Sequence, residues 1–159
     1  MLQVRIIAVG NIKENYYKEA CAEYVKRLGG FCRPEVCELK EARLSDNPTE
    51  GEIAAALHEE GERILAAIPP RAFRVVLCVE GNPLSSEELS ARIAKEELTH
   101  PALCFIIGSS YGLAPEVKAA ADLRLSFSRL TFPHRLFRVM LLEAVYRAFT
   151  INKGTGYHK

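Results

Sequence analysis

Apolar runs of strand length alternate along this chain with stretches of helical periodicity. The strand-like runs, rich in branched aliphatic and aromatic residues, are residues 4–9, 31–39, 74–79, 103–107 and the segment from residue 123 onward. Helical spacing of apolar residues is found over residues 16–28, 49–67, 85–98, 115–121 and 133–148. Strands that alternate with helices predict an α/β fold, a mainly parallel sheet of five to six strands with helices on both faces.

Polar and turn-forming residues mark several element boundaries. Thr49 is followed three residues later by Glu52, a spacing that predicts a capping box at the start of the second helix. The apolar strand at residues 74–79 is expected to end in a loop at residues 80–83, where glycine and proline interrupt the pattern.

The final helix is predicted to begin at Pro133, with Thr131 near its cap. Glu143 and Arg147 are four positions apart on this helix, a spacing that favours an ion pair on its surface. The amphipathic stripe of the helix is expected to comprise Leu136, Val139, Met140, Glu143, Ala144, Arg147 and Ala148.

The composition is that of an ordinary globular protein. The chain has 159 residues, of which 48% are hydrophobic and 26% charged, and this length predicts one domain over residues 1–159. Its apolar runs are broken within about ten residues, whereas a membrane-spanning helix needs roughly 20. We therefore expect neither a membrane span nor a signal peptide.

The cysteines favour a reducing compartment. There are five of them, and Cys78 and Cys104 lie within apolar strand-like runs, where thiols usually behave as small hydrophobic groups. This use of cysteine predicts a cytoplasmic protein. Cys32 and Cys37 are the one closely spaced pair, and no histidine lies near them in the sequence, so no metal site is predicted.

Charge is distributed unevenly along the chain. Residues 35–62 contain nine acidic and two basic residues, whereas residues 122–159 contain seven basic and two acidic residues. The basic end suggests an anionic partner such as nucleic acid. Ordinary surface solvation, with some pairing between the two halves of the chain, explains the pattern equally well.

Two successive strand-to-loop segments form the candidate binding site. The strand at residues 103–107 leads into Gly108-Ser109-Ser110-Tyr111-Gly112, and a second strand leads into residues 127–134. Such loops form ligand pockets beyond the carboxyl ends of strands in α/β sheets. Neither the phosphate-binding lysine motif nor the dinucleotide motif is present. The glycines either hold a small polar ligand or only shape a strand-to-helix connection.

The loop before the final helix and the end of the chain carry further candidates. Phe127, Leu130 and Phe132 alternate with polar residues, so they either wall a base or pack under the last helix. His134 and Arg135, at the start of that helix, are suited to binding phosphate or are simply surface residues. The final residues Tyr157, His158 and Lys159, after flexible glycines, suit stacking on a base and pairing with phosphate.

Several sequence segments together carry a family resemblance. The most specific are residues 125–134, Arg138-Val139, residues 143–148 and the terminal Tyr157-His158-Lys159. Residues 7–14, 24–28, 61–65 and 84–87 extend the match over essentially the whole chain. Through these segments the chain resembles the RlmH family, the SPOUT-class methyltransferases that act on a pseudouridine of large-subunit ribosomal RNA.

The resemblance implies a specific activity and fold. It implies S-adenosylmethionine-dependent methylation of N3 of a pseudouridine in a stem-loop of 23S ribosomal RNA, by a homodimer with a trefoil knot in its C-terminal half. The family usually has a second glycine where this chain has Ser109. Carried over by position, the residues that bind the cofactor are Leu77, Gly108, Phe127, Ser128, Arg129, Leu130, Thr131 and Phe132.

Chemistry at N3 suggests roles for residues near the C-terminus. The N3 proton must leave, so the site needs a base or a cation, and the candidates are His158, Arg138 and His134. RNA contacts are expected from Tyr157, Lys159 and Arg135, with the tail of one subunit completing the pocket of the other. The alternatives are a non-catalytic RNA-binding module and, disfavoured by the missing dinucleotide motif, a nucleotide-dependent oxidoreductase.

Overall fold

A five-stranded sheet, with every strand pair parallel, lies at the centre of the computed structural model, which describes residues 1–159. In chain order the strands are β1 (Gln3–Val9), β2 (Arg33–Leu39), β3 (Phe73–Pro83), β4 (Ala102–Ile107) and β5 (Leu123–Ser126). The helices are α1 (Asn15–Leu28), α2 (Glu50–Ala67), α3 (Ser86–Glu96), α4 (Pro115–Ala119) and α5 (His134–Asn152). The strand order across the sheet is β2-β1-β4-β3-β5, and the predicted α/β fold is confirmed.

Helices cover both faces of the sheet, as the uninterrupted apolar strands require. On one face α5 packs between α1 and α3, and Val4 and Ile6 of β1 point into this larger core. On the other face α2 contacts α4, and Ile7 and Val9 of the same strand point into a smaller core. All six residues of β4 are buried, because this central strand is covered from both sides.

Capping boxes start two of the helices, and one of them was predicted. Thr49 and Glu52 form the expected capping box before α2, and Ser85 forms a second one with Glu88 before α3. At α5 the residue before the helix is Pro133, and no side chain caps the helix. Thr131 lies two residues before this cap, as expected, but makes no capping hydrogen bond.

The buried stripe of α5 differs from the predicted one. Ala148 is buried as expected, but the remaining core positions are occupied by Leu141, Leu142, Val145 and Phe149. The other predicted residues, from Leu136 to Arg147, are only half-buried. Both sides of α5 are apolar, so periodicity alone selected the wrong one.

Between β3 and β5 the strand pairing is interrupted. Leu77 and Asn82 are both partners of Leu125, so the four residues from 78 to 81 bulge out of the ladder. The predicted loop at residues 80–83 is therefore wrong in part, because Asn82 and Pro83 pair again with β5. A Cβ atom on Gly81 would lie 2.8 Å from backbone carbon atoms of β5, so only glycine fits there without displacement.

Free thiols and helices too short or too polar to cross a membrane are further features of the fold. All five cysteines are free, and burial raises the pKa of Cys104 to about 12, in keeping with a buried, inert thiol. Cys78 is only half-buried, unlike the packed position expected for it. None of the helices has the length and apolar character that crossing a membrane requires. No group of three or more His, Cys, Asp or Glu side chains is placed to hold a metal ion.

Replacing Gly81 by alanine is expected to destabilise the protein. The new methyl group meets the β5 backbone, and overpacking of this kind costs about 1–3 kcal/mol of the free energy of unfolding. Gly51→Ala, where the nearest atom is 3.9 Å away, is the matched control and should cause no loss. Thermal unfolding measures both variants; equal melting temperatures would contradict the close approach.

Candidate active site

A cavity of about 760 Å³ opens where the carboxyl ends of β3, β4 and β5 meet. Its lining comes from residues 77–80 of β3, residues 107–113 after β4, the loop after β5 and the start of α5. Parallel strands place their carboxyl ends at one edge of a sheet, and the volume suits a small-molecule ligand. The structure thus places the two predicted strand-to-loop segments at one cavity, with β3 between their strands.

The loop after β4 folds back on itself directly behind the cavity wall. Gly112 donates a backbone hydrogen bond to the Ser109 carbonyl at 2.9 Å and has a φ of 94°. A Cβ atom on Gly108 would lie only 2.3 Å from the Gly112 carbonyl oxygen. Gly108 is therefore needed to shape the connection, and it lines the cavity as well.

Ser109, at the position where the family usually has glycine, fits without backbone strain. Arg71 is the one non-glycine residue with a positive φ in the structure, so Ser109 has an ordinary backbone conformation. Its side chain is half-buried and lines the cavity.

The loop after β5 forms an aromatic wall that is anchored on α5. The rings of Phe127 and Phe132 lie 4.9 and 6.5 Å from that of Phe137, so both pack under α5 while they face the cavity. Ser128 accepts a hydrogen bond from the backbone of Leu130 at 3.0 Å, which fixes the turn between them. This wall is therefore rigid at its base.

Seven of the eight positions predicted to bind the cofactor line this cavity. They are Leu77, Gly108, Phe127, Ser128, Leu130, Thr131 and Phe132. Arg129, the eighth, is exposed and does not contribute to the lining. The cavity also contains a pair that sequence reasoning missed, Glu80 and Lys118, whose charged atoms are 2.5 Å apart. Glu80 directly follows the predicted strand at residues 74–79, which was the available signal; nothing in the sequence pointed to Lys118.

Of the three basic candidates near the start of α5, only His134 lines the cavity. Arg135 donates to Glu14 at 2.6 Å. A hydrogen bond with its own backbone and the contact with Arg135 lower the pKa of Glu14, against the opposing effect of burial.

Arg138, whose side chain is 4% exposed, donates to Glu38 at 2.5 Å and to the Gly10 carbonyl at 3.1 Å. These contacts tie α5 to the segments around β1 and β2.

The C-terminal tail is docked on α5, so it is not the flexible segment that its glycines suggested. The Tyr157 hydroxyl donates to Glu143 at 3.1 Å, and the Arg147 guanidinium lies 4.8 Å from the Tyr157 ring centroid. Burial, reinforced by hydrogen bonds with Tyr24 and Glu143, raises the pKa of Tyr157 to about 12.

His158 and the expected pair on α5 complete the anchoring of the tail. One ring nitrogen of His158 lies 2.8 Å from Glu87 and the other 3.1 Å from Arg147. Glu143 and Arg147 form the predicted ion pair at 2.6 Å. Lys159, the last residue, is exposed.

The docked tail contacts α5 beyond the part of the helix that lines the cavity. Tyr157 reaches Glu143, nine residues after His134, whereas the last cavity residue on α5 is Phe137. At about 1.5 Å per residue, roughly 14 Å of helix separates Glu143 from His134. The structure therefore does not bring Tyr157, His158 or Lys159 together with His134 within one chain.

Comparison with known proteins identifies the family. A family model described as "Predicted SPOUT methyltransferase" matches residues 2–158. The chain belongs to the SPOUT methyltransferase family.

Curated members of the SPOUT family resemble the chain over its full length. It is 46% identical over 159 residues to the ribosomal RNA large subunit methyltransferase H of Carboxydothermus hydrogenoformans, and 43% identical to that of Streptococcus thermophilus. Each alignment covers 99% of this chain and 100% of the relative. These matches confirm the resemblance that the sequence motifs indicated.

A solved structure has a fold similar to that of this chain. It comes from Legionella pneumophila and is described as a methyltransferase in complex with the bound cofactor SAM. The TM-score is 0.50 at 13% identity, over 92% of this chain and 66% of that one, so the likeness concerns the fold. The trefoil knot stays a prediction.

Gly108→Ala is expected to displace the loop that closes the cavity. The added methyl group meets backbone atoms of Gly112, which cannot rotate away as a side chain would. Backbone amide chemical shifts of residues 109–113 should change, and the melting temperature should fall. Ser109→Ala, one residue along, is the matched control and should preserve the melting temperature and the shifts of residues 112 and 113, which the Gly108 methyl group would contact. Unchanged loop shifts in Gly108→Ala would contradict the observed packing.

Proposed function

We propose that this protein is an S-adenosylmethionine-dependent methyltransferase that methylates N3 of a pseudouridine in a stem-loop of large-subunit ribosomal RNA, in the cytoplasm, during ribosome maturation. The observation that carries the proposal is the cavity at the strand ends, lined by seven of the eight expected cofactor positions. Membership of the SPOUT family and relatives named ribosomal RNA large subunit methyltransferase H support it.

The cavity suits the proposed cofactor in size and chemistry. A volume of about 760 Å³ lies in the range of nucleoside-sized ligand sites. Leu77, Leu125 and Phe127 offer apolar surface for an adenine ring, and Gly108 leaves the backbone accessible. When bound, S-adenosylmethionine supplies an activated methyl group on its sulfonium sulfur.

The residues of this chain contribute mainly alignment. Methyl transfer to a nitrogen is an in-line displacement, so the chief requirements are correct orientation and exclusion of water. The aromatic wall around Phe127 and Phe132 provides both at the cavity. The N3 proton needs an acceptor, and His134 is the one catalytic candidate at the cavity of its own chain. We assign this role to His134, whereas Arg138 acts through its structural contact with Glu38.

A homodimer accounts for both the second apolar side of α5 and the position of the tail. Leu136, Val139 and Met140 are only half-buried within one chain, lie at helical spacing on one side of α5 and do not pack against either core. If two copies pair antiparallel along this side about a two-fold axis, the end of one α5 lies beside the start of the other. The docked Tyr157 and His158 then lie at the partner's cavity.

The basic residues left without ion pairs support an RNA substrate. Among the seven basic residues after position 122, Arg135, Arg138 and Arg147 pair with carboxylates. Arg124, Arg129, Lys153 and Lys159 have no carboxylate partner within 4.0 Å. Positive side chains of this kind bind the RNA backbone and make its affinity salt-dependent. In the proposed complex Lys159 and Tyr157 hold the RNA, with Arg135 at the edge of the site.

Removal of residues 157–159 is expected to abolish methylation while leaving cofactor affinity nearly unchanged. Purified protein, S-adenosylmethionine and large ribosomal subunits are incubated, and the target stem-loop is analysed by mass spectrometry. Wild-type protein should methylate the pseudouridine, and calorimetry should give similar cofactor affinity for both proteins. Cofactor binding without methylation of any ribosomal RNA by the wild type would favour the non-catalytic RNA-binding module instead. Full activity of the truncated protein would rule out the role of the tail.

Mixing two inactive variants is expected to restore activity. Protein lacking residues 157–159 keeps its cavity, and Gly108→Val keeps its tail but loses the cavity. In a mixed dimer one site has an intact cavity and the other variant's tail. Random exchange between equal amounts should recover about a quarter of the wild-type sites. No recovery after exchange, with mixed dimers shown by native mass spectrometry, would refute completion of the site by the partner.

A further inference from the structure

Two oppositely charged side chains lie in the otherwise mostly apolar cavity wall. Glu80 belongs to β3 and Lys118 to α4, and the Lys118 ammonium donates to a carboxylate oxygen of Glu80 at 2.5 Å. Apart from His134, the lining contains no other Asp, Glu, Lys, Arg or His residue. Isolated polar groups in an apolar pocket usually fix the orientation of the ligand.

The bulge in β3 positions the carboxylate. Glu80 lies within the four residues that leave the ladder between Leu77 and Asn82, and bulges of this kind redirect side chains near binding sites. Gly81, pressed against β5, fixes the end of the bulge.

Lys118 is held from the other side. The Arg124 guanidinium of β5 donates to the Lys118 carbonyl oxygen at 3.1 Å, which ties the end of α4 to the sheet. The ion pair therefore joins two segments that are themselves anchored to β5.

The state of the carboxylate limits what it can bind. The hydrogen bond from Lys118 lowers the pKa of Glu80, so this group is ionised near neutral pH and acts only as an acceptor. Its side chain is 56% exposed, which leaves access from the cavity. A bound methyl donor offers two kinds of group to an acceptor: the two ribose hydroxyls, and the cationic ammonium of its amino-acid part.

Charge favours the hydroxyls. The Lys118 ammonium already lies against the carboxylate, and a second cation at the same place would be repelled by it, whereas neutral hydroxyls would not. Adjacent ribose hydroxyls are a common ligand of single carboxylates at strand ends. Building on the proposed function, we infer that Glu80 accepts hydrogen bonds from the ribose hydroxyls of the methyl donor and that Lys118 is its positioning residue.

The contact can be measured by calorimetry with nucleosides, without catalysis. The probes are S-adenosylhomocysteine, 5′-methylthioadenosine, which lacks the amino-acid part, and the 2′,3′-dideoxy form of the latter. Glu80→Ala should weaken binding of the first two about tenfold, as loss of a hydrogen bond to a charged group predicts, and leave the dideoxy compound unaffected. Glu116→Ala is the matched control, because Glu116 forms a similar pair with His58 outside the cavity.

The pH dependence of ligand affinity in Lys118→Met tests whether Lys118 positions the Glu80 carboxylate. Without Lys118 the Glu80 pKa returns towards its ordinary value of 4.5, so more of the carboxylate is protonated at pH 5. Affinity of this variant for 5′-methylthioadenosine should fall between pH 7 and pH 5 by more than that of the wild type. Parallel pH profiles of the two proteins would overturn the positioning role.

The outcomes separate this inference from the proposed function. If wild-type protein binds none of the hydroxyl-bearing nucleosides, the proposed function fails. If wild-type protein binds them and Glu80→Ala binds 5′-methylthioadenosine equally well, the inference alone fails. A loss confined to S-adenosylhomocysteine would move the contact to the amino-acid part, and an equal loss for the dideoxy compound would indicate a structural effect. Either result overturns the ribose contact.

Discussion

The backbone of β5 lies directly against Gly81 of β3, and the shape of the cavity depends on this contact. A side chain at Gly81 would meet the carbonyl carbons of Arg124 and Leu125 at 2.8 Å, so any larger residue there would have to displace the bulge or β5. The bulge brings Cys78, Val79 and Glu80 into the cavity wall. Gly108, at the end of the neighbouring strand β4, has a similar close contact, because a side chain there would meet the backbone of Gly112 in the same loop. At both glycines two backbone segments lie in contact because no side chain separates them, and these contacts shape the cavity at the strand ends.

Continuous apolar strands and glycine loops were predictable from the sequence, because their causes are local. Residues 103–107 showed a fully buried strand, and Gly108 marked the turn after it. The sequence failed where partners distant along the chain decide the outcome. Pairing of Asn82 with Leu125 resumes a strand that looked finished, and the outer side of α5 is as apolar as the inner one. The tail was equally unpredictable, because contacts with Arg147 and Glu87 hold residues whose glycine-rich surroundings suggested disorder.

Ion pairs between the two ends of the chain reconcile the two interpretations of its charge pattern. Arg138 of the basic end is buried against Glu38 of the acidic region, so some of the opposite charges neutralise each other inside the molecule. Glu60, 5% exposed, accepts from the Ala42 backbone and likewise does not contribute to a negative surface. The remaining basic groups, including Arg129 in the loop after β5 and Lys159 at the end of the chain, are exposed. Internal pairing and attraction of RNA are therefore compatible properties of one sequence.

The position of β4 in the middle of the sheet has a consequence for biosynthesis. During translation β1 can pair with β2 early, but β3 finds no neighbour until Ala102–Ile107 has been made and inserted between β1 and β3. Such non-local pairing is slow, and it exposes apolar strand edges meanwhile. The nascent chain therefore emerges as two incomplete parts, and the ligand pocket is the last region to mature. The start of α5, the last helix to be synthesised, lines the cavity. A protein proposed to modify ribosomes would therefore leave the ribosome that makes it before its own binding site is complete.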